Sequence, residues 1–207
     1  YGNLPVLGAV ATFRPGEGRF GRGAVAVEVG TTNIVPDTDM TSSSWVKQQG
    51  CTVEKLNETL YGMPVYRVTF PAGLLSRAFF NFGYQDGEWF SGSIYYKFVS
   101  GHEAQEAIPA FYFRETGFGV HHKTANFQRV TSWQRIELNH QFSGSGSSMF
   151  LLYRTSENTQ TDVVMDFAMP QLEKKPFATS FVGGTRAAEK LSYNLSLTNP
   201  HTGHLWM

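Results

Sequence analysis

Short segments in which apolar and polar residues alternate are the feature that most constrains the fold of this chain. Ile94, Tyr96 and Phe98 share one side of such a segment, and Ile136 and Leu138 share one side of another. A period of two is typical of a β-strand with one buried and one exposed face. No segment of helical length spaces its apolar residues at i, i+3, i+4 and i+7. The chain is therefore predicted to be all-β.

Turn signals separate these segments, such as Gly87, Gly101 and Gly117, each preceded by Asp, Ser or Thr, and the Ser/Gly run at 143–148. Many short strands divided by turns indicate a sandwich or barrel. We expect a two-sheet antiparallel sandwich over residues 33–182. The side chains expected to face its interior are those of Ile94, Tyr96, Phe98, Ile136, Leu138, Met165 and Phe167.

Charge and cysteine content exclude several classes of protein. Among the 207 residues, Lys+Arg and Asp+Glu number 17 each. This balance gives no long-range attraction to nucleic acid or anionic membranes, and no apolar run is long enough for membrane insertion. Cys51 is the single cysteine, so no intrachain disulfide forms. No nucleophile elbow, phosphate loop or zinc-protease motif occurs, so we expect no catalytic residues.

The two ends of the chain differ from the centre. Residues 1–32 contain a glycine-rich stretch and then an alternating apolar segment at 24–29, expected to be a strand from a preceding module. Residues 183–207 open with Gly-Gly and contain a second alternating segment at 191–197, expected to be a linker and the start of a following module. Both apolar segments are expected to dock, for instance on each other, because exposed apolar faces are unfavourable in water.

Several motifs resemble the carbohydrate-binding-module-like jelly rolls of the family 4/9 type. They are the opening at 33–40 with Trp45 after it, the tyrosine-rich segment at 91–98, Trp-Gln-Arg-Ile at 133–136 and the closing segment with Gln-Leu-Glu at 166–173. The resemblance implies a two-sheet antiparallel jelly-roll β-sandwich. It also implies that Trp45 and Trp133 belong to the core.

The continuation at 174–182, followed by Gly-Thr-Arg at 184–186, is similar to a subset of these modules in phage virion and other bacterial surface proteins. Residues 20–33 resemble the last strand of a concanavalin-like or laminin-G-like domain, which flanks such modules. The resemblance implies an extracellular location on a virion. Its implied partners are other virion subunits, neighbouring modules, a cell-surface polysaccharide and further copies of the chain.

Carbohydrate-binding jelly rolls present aromatic rings to sugars, and Trp89 is the candidate platform here because polar residues surround it in a turn-rich segment. Tyr95 and Tyr112 alternate with apolar residues, so we expect them to be exposed on one sheet. The alternative is that these rings pack under loops. The candidate carbohydrate-binding residues are Trp89, Tyr84, Tyr95, Tyr112, Asp86 and Glu88.

Many of these jelly rolls hold a structural calcium ion, and Asp39 and Asp166 are the matching positions. Met40 and Thr41 depart from the aromatic and acidic residues that are common beside the first of them. No other metal site is expected, because the adjacent His121 and His122 point to opposite faces of a strand.

The sequence thus favours a non-catalytic virion structural or adsorption module that binds host-surface glycans. Two alternatives stay open. One is a purely architectural jelly roll in virion assembly, and the other is an accessory glycan-binding module of a secreted glycan-degrading enzyme.

Overall fold

The computed structural model of the protein describes four stretches of the chain, residues 30–103, 109–116, 120–154 and 160–187. One compact unit comprises Thr32–Thr185. The second unit comprises Tyr1–Thr31 and Arg186–Met207 and lies almost wholly outside the described residues, as do the apolar segments at 24–29 and 191–197.

Twelve strands form the secondary structure of the described residues, which contain no helix able to cross a membrane. The strands are β1 (Thr31–Thr32), β2 (Val46–Gln48), β3 (Thr52–Leu60), β4 (Met63–Phe70), β5 (Arg77–Tyr84), β6 (Trp89–Ser100), β7 (Ala110–Glu115), β8 (His121–Asn126), β9 (Gln134–Gln141), β10 (Gly146–Tyr153), β11 (Val163–Glu173) and β12 (Thr185–Arg186).

Ten of these strands form two five-stranded sheets. The first sheet has the order β2-β5-β10-β7-β8, and the second has the order β3-β4-β11-β6-β9. All neighbouring strands within both sheets are antiparallel. The short strands β1 and β12 pair separately. The protein is therefore all-β, and the predicted two-sheet antiparallel jelly-roll β-sandwich is confirmed.

The main apolar core contains side chains from both sheets. The pairing of Ile94 with Ile136 and of Phe167 with Tyr96 sets the register of the second sheet, and the period of two then directs alternate residues inward. Six of the seven residues predicted to face the interior are buried: Ile94, Tyr96, Phe98, Leu138, Met165 and Phe167. The seventh, Ile136, is half-buried and packs against the same core.

The two tryptophans that were expected in the core have different positions. Trp45 is buried and meets the rings of Phe80 and Phe150 edge-on, at centroid distances of 5.0 and 5.9 Å. Trp133 is half-buried and packs against a smaller apolar cluster outside the main core. Ile136 faces the core, so the alternation of side chains puts Trp133 on the outer face of the second sheet. There its ring centroid lies 5.1 Å from the Lys97 ammonium.

Asn33 connects the start of this compact unit to its end. Its amide nitrogen Nδ2 donates to the carbonyls of Pro170 and Val182, each at 3.1 Å. Its Oδ1 accepts from the backbone N–H groups of Leu172 at 3.0 Å and Val35 at 3.2 Å. One buried side chain thus satisfies backbone groups that lie more than a hundred residues apart along the chain.

The closing motif completes this connection. Glu173 is fully buried and accepts from the Thr179 N–H at 2.8 Å, the Thr179 hydroxyl at 2.7 Å and the Gln171 amide at 2.6 Å. Gln171 Oε1 accepts from the Val182 N–H at 2.7 Å. We call Asn33, Gln171, Glu173 and Thr179 the terminal clasp. The residues that carry the family resemblance at the end of the unit therefore fix its backbone.

Candidate functional site

Trp89 begins β6 and has 38% of its surface exposed. It pairs with Gln141 of β9, which is an edge strand of the second sheet. The next residue, Phe90, is buried in the core, so the Trp89 ring lies on the outer face of the sheet. The structure therefore places the predicted platform where a ligand can reach it.

The three candidate tyrosines are buried, since Tyr84, Tyr95 and Tyr112 are only 7%, 9% and 7% exposed. Tyr95 lies in the second sheet, whereas Tyr112 lies in the first. The expectation that these two rings are exposed on one sheet is therefore wrong. Tyr84 points into the core, where its ring stacks on Phe142 with a centroid distance of 4.1 Å.

Burial of the outer face of the first sheet explains the position of Tyr112. This face carries a second apolar cluster in which Tyr112 packs with Phe79, Met149, Leu151 and Tyr153. The sequence contains a signal for it, because residues 149–153 of β10 are apolar without interruption. Such a run is typical of a strand that is buried on both faces.

The turn that precedes Trp89 is fixed by backbone hydrogen bonds. The Gly87 N–H donates to the Phe142 carbonyl, and the Phe142 N–H donates to the Glu88 carbonyl, both at 2.9 Å. The Glu88 N–H donates to the Gln85 carbonyl at 3.2 Å. Gly87 has a φ of +75°, which glycine adopts without strain. The polar residues near Trp89 are thus held on a rigid turn.

Side chains brace the same turn. Asp86 Oδ1 accepts from the Gly144 N–H at 2.7 Å, and Glu88 Oε2 accepts from the Gln85 N–H at 3.0 Å. Lys174 forms an ion pair with Glu88, and its hydrogen bond lowers the pKa of that carboxyl below the usual range. Both candidate carboxylates therefore use part of their hydrogen-bonding capacity within the turn.

Hydrogen-bonding capacity nevertheless remains beside the ring. Asp86 is bonded through Oδ1, so Oδ2 can still accept a hydroxyl. Gln141 uses its Nε2 to donate to the Gly87 carbonyl at 3.1 Å, so its Oε1 can also accept. An exposed indole with acceptors on the preceding turn and on the paired strand matches the apolar C–H face and the hydroxyl rim of a sugar ring.

The two carboxylates that the resemblance assigns to calcium contact cations instead. Asp166 accepts from Arg67 at 2.8 and 3.1 Å and lies 3.3 Å from Lys97. Asp39 lies 3.3 Å from Lys55, and its hydrogen bonds with Thr41 lower its pKa. These contacts do not fit the shell of oxygen ligands that calcium takes. The described residues also contain no group of three or more His, Cys, Asp or Glu that could hold a metal.

The sequence matches no family model and no curated protein sequence. Among solved structures, it is similar to a family 4 carbohydrate-binding module, with 10% identity, a TM-score of 0.49 and coverage of 64% of this chain and 95% of that one. It is also similar to the xylan-binding family 22 module of Paenibacillus barcinonensis Xyn10C, with 19% identity, a TM-score of 0.45 and coverage of 74% and 100%.

A tailspike protein of bacteriophage CBA120 is a further similar structure, with 12% identity and a TM-score of 0.45. The similarity covers 66% of this chain and 20% of the tailspike chain. The strand order and pairing define the jelly roll of this chain.

Proposed function

We propose that this chain is a non-catalytic module that recognises glycans through Trp89 and works on the outer surface of a virion. Its ligand is then a cell-surface polysaccharide of the host, and its other partners are neighbouring modules and subunits. The exposed Trp89 ring on a hydrogen-bonded turn is the observation that carries this proposal.

Binding of a sugar at Trp89 has a low entropic cost. A flat ring covers the apolar face of a sugar, and only two side-chain torsions are fixed when it does so. The turn at 85–88 is already held by backbone and side-chain hydrogen bonds, so little further ordering accompanies binding. The acceptors of Asp86 and Gln141 then supply orientation.

The carboxylates near Trp89 support recognition over hydrolysis. A glycosidase needs a carboxyl group that stays protonated to act as the general acid. The pKa of Glu88 is instead lowered by its hydrogen bond from Lys174. Asp86 already accepts from the Gly144 N–H. Glu88 therefore suits hydroxyl recognition and does not suit proton donation.

The direct test is the variant Trp89→Ala, screened with the wild type on an array of bacterial surface polysaccharides and then measured by calorimetry. We expect at least a tenfold loss of affinity, since truncating a binding tryptophan commonly costs about 2 kcal/mol. The variant should stay folded, with only a small drop in melting temperature, because Trp89 is 38% exposed and lies outside the main core. Phe177→Ala, which removes another exposed aromatic ring, is the matched control. Unchanged binding, or a wild type that binds no glycan, contradicts the proposal.

The terminal clasp favours a second candidate, a purely architectural module. Its buried hydrogen bonds join the two ends of the unit, as a rigid spacer between neighbouring modules requires. Parent particles that carry Trp89→Ala distinguish the two candidates. Normal assembly with reduced adsorption supports glycan recognition, whereas unchanged adsorption supports the architectural candidate. A glycosidase domain in the same polypeptide would instead indicate an accessory module of a degrading enzyme.

A further inference from the structure

The turn between β3 and β4 contains a residue in an unfavourable conformation. Leu60 pairs with Met63, so Tyr61 and Gly62 form a two-residue turn. Their φ angles are +50° and +79°. Two-residue hairpins with two positive φ angles favour Asn, Asp or Gly at the first position. A bulky aromatic residue rarely adopts a positive φ, because its Cβ clashes with the backbone in that conformation.

Packing does not account for the Tyr61 side chain, which is 70% exposed. The ring has one described aromatic neighbour, Tyr95, at a centroid distance of 6.1 Å and an interplanar angle of 75°. The Arg135 guanidinium lies 5.9 Å from the Tyr95 ring. Tyr61 is therefore supported from beneath while most of its surface faces solvent. Strained residues of this kind are concentrated at functional sites.

Further groups extend this surface across the sheet. Lys97 is two residues from Tyr95 on the same face of β6, and its ammonium lies 5.1 Å from the centroid of Trp133. Lys97 also lies 3.9 Å from Glu58. We call Tyr61, Trp133, Glu58, Lys97 and Arg135 the hairpin surface, and the buried Tyr95 ring supports Tyr61 from beneath.

The charges of the hairpin surface indicate what it binds. Lys97 is paired with Glu58 and Asp166, and Arg135 is paired with Glu137 at 3.0 Å. Cations that are each paired with carboxylates have little attraction for nucleic acid or another anionic polymer. Aromatic rings bordered by balanced polar groups suit a neutral, hydroxyl-rich ligand. A pyranose ring has this chemistry.

We propose that the hairpin surface is a second glycan-binding site, so that the module binds one polysaccharide at two places. This proposal rests on the proposed function. Trp89 and Tyr95 lie on the same face of β6, about 20 Å apart at the usual rise per strand residue. Ser91, between them, donates to the Lys175 carbonyl, so another segment covers the intervening face. The two sites are therefore separate, and a long polymer gains avidity from both.

The test uses Tyr61→Asn, because Asn suits the positive φ that Tyr61 adopts. We expect an unchanged or higher melting temperature together with at least tenfold weaker binding of the polysaccharide identified on the array. Tyr61→Phe keeps the ring and should bind like the wild type. With a short oligosaccharide of the same glycan, calorimetry should give two ligands per wild-type chain and one for Tyr61→Asn or Trp89→Ala.

The outcomes separate this proposal from the previous one. A wild type that binds no glycan contradicts both. Complete loss of binding in Trp89→Ala, with one ligand per wild-type chain and no effect of Tyr61→Asn, leaves the proposed function standing and overturns the second site. Residual binding by Trp89→Ala that disappears when Tyr61→Asn is added supports the second site.

Discussion

Asp166 is a fully buried carboxylate whose charge is balanced by two cations on neighbouring strands. It pairs with Arg67 of β4 and with Lys97 of β6 in the strand register, and both cations also contact its oxygens. Removal of one partner from a buried ion pair is strongly destabilising because the remaining charges lose their compensation. The position that the family resemblance assigns to a metal ligand therefore has an electrostatic role inside the sheet.

We predict that Asp166→Asn lowers the free energy of unfolding by about 3 kcal/mol, as expected when a buried pair is broken. Urea denaturation measures this change. Asp39→Asn is the control, because that carboxylate is partly exposed and its ion pair with Lys55 should contribute about 1 kcal/mol or less. If both variants lost the same small amount of unfolding free energy, the electrostatic role of Asp166 would be contradicted.

At the scale of strands, the edges of the two sheets meet at a pair of histidines. His122 of β8 and His140 of β9 have nearly parallel rings with centroids 5.6 Å apart, and both rings pack against Phe142. Burial lowers the pKa of both imidazoles. The neighbouring charges of His122 and Lys123 lower the pKa of His140 further, whereas the Glu115 carboxylate partly raises that of His122. Both imidazoles are therefore favoured in the neutral form in the folded state.

This arrangement predicts a loss of stability in mild acid. A folded pKa below the ordinary value of 6.5 means that the unfolded chain takes up protons first as the pH falls. Stability is therefore full above about pH 6.5 and decreases below it, at up to about 1.4 kcal/mol per pH unit for each proton difference. Melting temperatures between pH 8 and pH 5 measure the effect.

The double variant His122→Gln, His140→Gln should have a flatter pH profile than the wild type over this range. Asn126→Gln, which changes an exposed residue of β8 that does not titrate, should retain the wild-type slope. Parallel profiles for the wild type and the double variant would show that these imidazoles do not produce the acid sensitivity.

Strand-level sequence patterns predicted part of this architecture. The period of two identified the inward residues of β6, β9 and β11, since one buried face produces that pattern. It did not reveal that Tyr95 and Tyr112 lie in different sheets, because sheet membership depends on pairing between distant segments. It also treated the opposite face of each strand as exposed, although the outer face of the first sheet carries its own apolar cluster.

The sequence predicted Trp89, Asp86 and Glu88 of the candidate site, whereas the three tyrosines predicted with them are buried. Trp89 is exposed as expected because turn residues precede it and Phe90 occupies the inward position. Tyr61 could have been noticed, since Tyr-Gly stands between two apolar segments where Asn-Gly is the usual hairpin turn. The outward position of Trp133 could also have been noticed, because it stands three residues before the inward Ile136 and the period of two then gives it the opposite face.

For the whole molecule, the sandwich requires its first and last segments to meet, and the terminal clasp is where they do. The motifs at the end of the unit indicated a closing segment by resemblance, but the hydrogen bonds that hold it are seen only in the structure. Asn33 satisfies the N–H of Leu172 and the carbonyls of Pro170 and Val182, all from segments that close the fold.

Asn33→Ala should therefore destabilise the whole unit. The substitution leaves the Leu172 N–H and two carbonyls without their partner in a buried setting, and each such group costs about 1 kcal/mol or more. We expect a loss of about 2–4 kcal/mol in urea denaturation, together with faster hydrogen exchange at the Leu172 amide. Asn139→Ala, at an exposed position of β9, should change stability by less than about 0.5 kcal/mol. A similarly small change for Asn33→Ala would mean that other contacts close the sandwich, because the clasp would then be dispensable.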